Sequence, residues 1–383
     1  MLSNKVKSME ESATIRMAQK SRDLASKGVH VVNLTLGEPD FDTPDFIKKA
    51  ATAALDKGDT KYTPVPGTMA LRQAISHKFK AENNLDYTPA QIVVSNGAKQ
   101  SIANVCLSML DEGDEVVILA PYWVSYAEIV KFAGGTPIIL KSDIDTDFKV
   151  PFSDIKEAIN EKTKLLIFSS PCNPTGSVYS QSELEAIASL VMQHGQMIVL
   201  SDEIYEYINF SKKHFSIGSV PGMIDYTATV NGFSKGFAMT GWRLGYMGAP
   251  SWLVSACNKV QGQVTSGASS FGQAAAVEAL NANRDACHEM RDAFLTRRGL
   301  IVGLLKEIPG FKVNNPEGAF YIFPDISAYF GTSYGDLTIN NADEMAEILL
   351  TEAHVGTVSG SAFGADNCIR MSYAASEDNI KEA

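Results

Sequence analysis

Two stretches, LLIFSSPCNPTG (residues 165–176) and MIVLSDEIY (residues 197–205), decide the fold. Each begins as a short apolar run of strand length and ends on polar groups and turn residues. Between them, Ser180-x-x-Glu183 reads as a capping box ahead of Leu184, Ile187 and Leu190. Strand, helix and strand in this order are the unit of a mainly parallel sheet with helices on both faces. The same texture extends outward. Further strands are expected at 92–95, 115–120, 136–140 and 227–231, with helices between them. The helix expected over 98–110 places Ile102, Val105, Cys106, Met109 and Leu110 on one face. The fold class is α/β.

The texture changes after about residue 275. A helical stretch over 274–305, broken near 281–284, leads to strands around 320–323 and 368–373, with a helix at 342–353 between them. This pattern is that of a smaller α+β domain, with the helix expected at 13–27 folding back on it. The expected organisation is an N-terminal arm and helix at 1–40, a large domain at 41–285 and a small domain at 286–383. A cleft lies where the two domains meet. At 383 residues the chain has room for such a pair.

Composition narrows the function. Hydrophobic residues are 45% and charged residues 20%, ordinary for a folded enzyme. The net charge of −11 opposes nucleic acid and anionic membrane. The start MLSNKVKSMEES lacks the apolar core of a signal peptide, and apolar runs such as 300–305 are too short to span a bilayer. A cytoplasmic location is therefore expected. Five cysteines without a CxxC pair, and six scattered histidines without an HExxH, suggest neither disulfides nor a metal.

In open α/β sheets, ligands bind outside the carboxyl ends of the strands. Five consecutive expected strand ends carry polar or special residues: Asn96-Gly97-Ala98-Lys99, Pro121-Tyr122-Trp123, the 171–176 turn, Asp202-Glu203-Ile204-Tyr205 and Gly232-Phe233-Ser234-Lys235. Gly97-Ala98 at a helix start can seat a phosphate, or be an ordinary turn. Trp123 offers a stacking face, or fills the core. Asp202 is a site carboxylate or a helix cap. Lys235, among small and apolar residues, is an amine nucleophile if desolvated and a surface lysine otherwise. Five such ends at one sheet edge form a site.

The segment 232–245, Gly-Phe-Ser-Lys-Gly-Phe-Ala-Met-Thr-Gly-Trp-Arg-Leu-Gly, resembles the Schiff-base lysine signature of class-I aminotransferases. These are pyridoxal-phosphate enzymes of fold type I. The similarity continues through Gly37-Glu38-Pro39-Asp40-Phe41-Asp42-Thr43-Pro44, Lys61-Tyr62, the 121–126 segment, Asn173-Pro174-Thr175-Gly176, the 201–205 segment and Arg370-Met371-Ser372-Tyr373. It is similar above all to bacterial aspartate aminotransferases of a subgroup distinct from the enteric enzyme. The resemblance implies that Lys235 holds the cofactor covalently and then moves a proton. It implies that Asp202 pairs with the pyridine nitrogen, and that Tyr205 and Asn173 bind the ring oxygen. Trp123 would stack on the ring. Arg243 and the Gly97-Ala98-Lys99 amides would hold the phosphate, joined by Tyr62 from the second subunit of a homodimer. Arg370 would take the substrate α-carboxylate, with Gly37, Trp123 and Asn173 beside it. Lys99, Ser12 and Thr14 would meet a distal carboxylate.

Three departures bear on these expectations. Gly232 stands where many relatives carry serine, and Ser8 stands where prephenate-accepting members carry arginine. No arginine lies in 261–273, where the enteric enzymes use one for the distal carboxylate. The leading expectation is transamination between aspartate and 2-oxoglutarate. An aromatic, alanine or broad-specificity aminotransferase, or a β-lyase, would use the same lysine and aspartate. A PLP-sensing regulator is disfavoured by the lack of a basic helix-turn-helix ahead of residue 37, and a nicotinamide enzyme by the lack of an early GxGxxG.

Overall fold

Strands buried on both faces favour continuous apolar runs, and the central strands Thr163–Ser169 and Ile198–Asp202 carry such runs, while the buried strand Thr227–Gly232 alternates threonine with apolar residues. In the computed structural model, which describes residues 1–7, 9–210 and 213–383, seven strands make one sheet. They are β1 (Ile92–Ser95), β2 (Glu115–Leu119), β3 (Thr136–Leu140), β4 (Thr163–Ser169), β5 (Ile198–Asp202), β6 (Thr227–Gly232) and β7 (Gly245–Gly248), in spatial order β1-β7-β6-β5-β4-β2-β3. Pairings from β6 through β3 are all parallel, and β7 runs antiparallel to both β6 and β1. The sheet is therefore mainly parallel, as expected. Strand β7 was not foreseen, because Gly-Tyr-Met-Gly lacks the β-branched signal.

Side chains alternate across the sheet. Val116, Ile118, Leu165 and Ile167 pack on one face with Ile102 and Val105 of the helix Ala98–Met109. Val117, Leu119, Leu166 and Phe168 pack on the other with Leu184, Ile187 and Val191 of Gln181–His194. That helix starts on the expected capping box. Ser180 Oγ accepts from the Glu183 amide at 3.3 Å, and the Glu183 carboxylate from the Ser180 amide at 2.6 Å.

A second core gathers the helix Asp285–Lys306, the helix Ala342–Thr351 and a three-stranded antiparallel sheet of Tyr321–Ile322, Ile369–Ser372 and Val358–Ser359. The helical stretch breaks between Ser270–Asn281 and Asp285–Lys306. The helix Ala13–Ser26 buries Met17 against Ala346 and Leu350. Strand Val32–Asn33 pairs in parallel with Val355–Gly356. Ile204, Tyr205 and Ile208, which follow β5, belong to this second core. The turn after β5 is thus packed by both halves of the molecule.

The sheet edge is tightest at Gly245, which lies opposite both Ser95 and Gly232. A Cβ there would come within 2.2 Å of the Ala98 nitrogen and 2.5 Å of the Gly97 carbonyl carbon. Backbone on backbone leaves no flexible group to yield. Gly245→Ala should lower stability by roughly 1–3 kcal/mol through overpacking, read as a lower thermal midpoint. Gly303→Ala, in a helix with nothing within 4 Å of the added carbon, should hold or raise the midpoint. A Gly245→Ala midpoint equal to the parent's would contradict this packing.

Candidate active site

The carboxyl ends of β1, β2, β4, β5 and β6 open onto one cavity of about 400 Å³. After β1 the chain turns at Gly97, with φ +83°, straight into the helix Ala98–Met109. The first amides of a helix lack intrahelical partners and its dipole favours negative charge, so this turn is built to seat an anion. Arg243 closes over it: a Cβ on Gly97 would lie 2.5 Å from an Arg243 guanidinium nitrogen. Arg243 itself is exposed and donates to the Thr240 carbonyl at 2.9 Å. Glycine at 97 thus serves both the left-handed backbone and the approach of the guanidinium.

Asp202 closes β5 and is only 5% exposed. It accepts from the Tyr126 hydroxyl at 2.6 Å and from the Ile204 amide at 3.3 Å. Burial pushes its pKa up to about 6, against those two donors. Tyr126 lies on the helix Ser125–Ala133, edge-on to Trp123 with ring centres 5.5 Å apart. The Lys99 ammonium sits 4.8 Å from the centre of the Trp123 ring. Burial, and then Arg243, hold Lys99 below the usual lysine value.

Lys235 follows β6 and is half-buried, its Nζ donating to the Gly37 carbonyl and lying 5.8 Å from the Tyr205 and Phe320 ring centres. Burial pulls its pKa down to about 8; Arg370 and Arg243 act in the same direction, while Glu38 and Asp202 oppose them. About a tenth of the amine is then neutral at pH 7, far more than for an ordinary lysine, as a nucleophile or base requires. The loop carrying Lys235 is stapled to the 37–44 segment. Thr240 Oγ1 donates to Glu38 at 2.9 Å, Thr43 Oγ1 to the Ala238 carbonyl at 2.6 Å, and Trp242 Nε1 to Thr43 at 3.0 Å.

Arg370, on the middle strand of the second sheet, is 1% exposed. It donates to Asn173 Oδ1 at 3.0 Å and to the Thr35 carbonyl at 2.7 Å, while its Nε has no partner. It forms no salt bridge among the described residues. A buried guanidinium without a carboxylate is costly unless an anion completes it. Gly37 is close-packed here, since a Cβ on it would sit 2.8 Å from the Tyr321 hydroxyl.

Ser12, Thr14, Gly37, Ala98, Lys99, Trp123, Asn173, Asp202, Tyr205, Lys235, Arg243 and Arg370 all line this cavity. Gly97 adjoins it beneath Arg243. Tyr62 does not line it; the side chain is 98% exposed. Ser8 lies outside the described residues. The lining also includes Glu38, Tyr126, Ser169 and Tyr321, to which the sequence reading gave no role. Tyr126 reads in the sequence as a core aromatic of the helix Ser125–Ala133, and only its hydroxyl contact with Asp202 reveals its part. Tyr321 gave no signal beyond an apolar strand. At Gly232 a Cβ would come within 3.0 Å of the Gly245 Cα, so a serine there would need β7 to move.

Behind the turn, Glu203, Glu206 and His214 bring three potential ligand atoms within 4.8 Å of one another. Cations and donors already meet these carboxylates. Lys78 pairs with Glu206, His214 Nε2 with Glu203 at 2.8 Å, and Ser201 and Ser216 donate to Glu203 at 2.9 and 2.7 Å. This network braces the chain on either side of Ile204 and Tyr205.

A pocket with an anion seat at one end, a desolvated lysine and carboxylate in the middle and a buried arginine at the other suits an anionic aromatic cofactor and a carboxylate substrate. The family described as aminotransferase class I and II matches residues 29–383. The chain is 50% identical over its whole length to a bifunctional aspartate aminotransferase and glutamate/aspartate-prephenate aminotransferase of Petunia hybrida, covering 81% of that protein. It is 43% identical to an aspartate aminotransferase of Bacillus sp. strain YM-2, covering all of this chain and 97% of the relative. Among solved structures, aspartate aminotransferase from Thermus thermophilus with maleate superposes with a TM-score of 0.94 at 41% identity, covering 100% of this chain and 97% of that one.

The environment of Lys235 has a direct readout. Only the neutral amine reacts with an acylating reagent, so labelling rises with pH through the amine's pKa. In protein kept free of carbonyl compounds, pulse labelling of the Lys235 peptide should show a midpoint near 8 rather than the ordinary 10.5. Mass spectrometry of the peptides measures it. A midpoint at the ordinary value would mean that Lys235 is fully solvated.

Proposed function

The chain belongs to the class I and II aminotransferases, and from that premise we propose that it is a pyridoxal-phosphate-dependent aspartate aminotransferase. It exchanges the amino group between L-aspartate and 2-oxoglutarate, giving oxaloacetate and L-glutamate. The observation that carries this reading is the convergence of Lys235, Asp202 and Arg370 on one cavity. Bound pyridoxal phosphate supplies a carbonyl for the substrate amine and a ring that withdraws electrons from the α-carbon.

The residues present fit that group. The Ala98 and Lys99 amides and Arg243 hold its phosphate, where glycines at 97 and 245 leave room for nothing larger. Asp202, ionised above its value near 6, keeps a proton on the ring nitrogen. Trp123 covers one face, and Asn173 and Tyr205 donate to the ring oxygen. Lys235 would anchor the group and, as a neutral amine, would carry the proton at the α-carbon as its acid and base. Arg370 receives the α-carboxylate, and the Gly37 amide assists. Lys99, with Ser12 and Thr14, binds the distal carboxylate.

Tyr62, fully outside its own chain's cavity, reaches the phosphate site of a second copy, so the working form is a homodimer. No helix among the described residues is long and apolar enough to cross a membrane, and the enzyme works in the cytoplasm. Residues 41–285 form the cofactor domain, 286–383 the small domain, and 1–40 the N-terminal arm and helix that pack on the small domain.

A substrate panel tests the assignment. With pyridoxal phosphate and 2-oxoglutarate, aspartate should exceed alanine and phenylalanine in kcat/KM, with oxaloacetate as product. In the same panel Lys99→Met should cost acidic substrates about tenfold to a hundredfold, the worth of one charge-assisted contact of roughly 1.5–3 kcal/mol. Neutral substrates should lose much less, and cofactor affinity should hold because the backbone amides remain. Equal losses for acidic and neutral substrates would place Lys99 at the phosphate alone and favour the broad-specificity alternative.

A further inference from the structure

Tyr321 is a side chain of this cavity that the reading above leaves without work. It is wholly buried on the strand Tyr321–Ile322, and its hydroxyl lies 2.8 Å from the hydroxyl of Tyr205. The Arg370 guanidinium carbon sits 4.5 Å from the centre of its ring. Two phenols facing each other own two protons but only one oxygen–oxygen contact. One proton bridges them and the other points elsewhere. Which phenol donates therefore decides whether the Tyr205 proton is available to the cavity.

The charges around the pair choose the direction. Arg370 lies against Tyr321 and makes its hydroxyl the stronger donor. Arg370 acts on Tyr205 as well, but there the negative charge of Asp202 opposes it, whereas no carboxylate acts on Tyr321, so the Tyr205 oxygen is the better acceptor. Lys235 lies on the cavity side of the Tyr205 ring. These are the charged groups that meet the pair from β5, the loop after β6 and the second sheet.

We propose that Tyr321 is a positioning residue that donates its hydroxyl hydrogen to Tyr205, so that Tyr205 presents its own hydrogen to the ligand in the cavity. The inference rests on the pyridoxal-phosphate reading and deepens it, since the group awaiting that hydrogen is the ring oxygen of the cofactor. The chain Arg370, Tyr321, Tyr205 then runs from the substrate-carboxylate end of the pocket to the cofactor. An anion that neutralises Arg370 weakens Tyr321 as a donor, and through it Tyr205. Occupation of the substrate end is thereby felt at the cofactor without any movement of backbone.

The test is the pH midpoint of the visible absorption change of the holoenzyme with pyridoxal phosphate bound through Lys235. Hydrogen-bond donation to the ring oxygen favours its ionised form and so lowers that midpoint. Tyr321→Phe keeps the ring under Arg370 and removes only the hydroxyl, so the midpoint should rise by roughly half a unit to one unit. In a Tyr205→Phe background the same substitution should add nothing, because the relay is already cut. An unchanged or lowered midpoint in Tyr321→Phe, or an additive shift in the double variant, would overturn the proposal. Neutron diffraction of the unsubstituted protein decides the same point without a variant. A deuteron on the Tyr321 oxygen directed at Tyr205 supports it, and one on Tyr205 directed at Tyr321 overturns it. A wild-type protein that shows no visible band with pyridoxal phosphate would overturn the cofactor reading instead, while the neutron map would still decide the direction of the bond.

Discussion

The structure depends on keeping one carboxylate dry. Asp202 ends a strand whose five residues are all buried, and only a tyrosine hydroxyl and one amide stabilise its charge. Such a group costs stability in the unliganded protein. Its pKa near 6 lies above the ordinary 3.8, so the native state retains a proton that the unfolded chain has released. Stability contributed by that proton is present at low pH and is lost as pH rises through this interval. A cationic ligand against Asp202 restores it. The opposite sign holds for Lys235 and Arg370, buried cations that an anionic ligand satisfies. Asp202 in the middle, Arg370 at one end and the helix start beneath Arg243 at the other thus specify the ligand's charge pattern: positive in the middle, negative at the ends.

Sheet topology delivers these groups to one place. Parallel strands β2, β4, β5 and β6 end at the same edge as β1, and antiparallel β7 begins there. The strand ends supply Gly97, Trp123, Asn173, Asp202 and Lys235, while Arg370 arrives from the second sheet. Tyr205 and Ile204 are packed in that second core, so the two halves share the wall of the pocket. Burial of aromatic rings there, including Phe294, Phe320 and Tyr321, holds the Arg370 strand against the turn after β5.

The parts of this arrangement legible in the sequence are those that break a local pattern. Asp202, Lys235 and Gly97 interrupt apolar runs with a charge or a glycine, and the 37–44 and 232–245 segments carry a family's order of residues. Strand β7 was illegible because two of its four residues are glycines set by close approach, Gly245 to the Gly97-Ala98 backbone and Gly248 to the Tyr87 ring, not by strand propensity. Tyr126 and Tyr321 were illegible because a buried tyrosine looks like core until the partner of its hydroxyl is known. The bracing of the Tyr205 turn rests on Lys78 meeting Glu206 from more than a hundred positions away, beyond any local spacing, and on His214 meeting Glu203.

The central claim is that a desolvated Asp202 dictates a positive charge on the group it faces. Nitrogen-15 NMR of the protein loaded with ring-labelled pyridoxal phosphate measures this directly. The account predicts a protonated ring nitrogen throughout the range from pH 6.5 to 8, well above the value near 6 to which burial holds Asp202, and loss of that proton in Asp202→Ala. An unprotonated nitrogen in the parent protein, or the same protonation in both proteins, would contradict it.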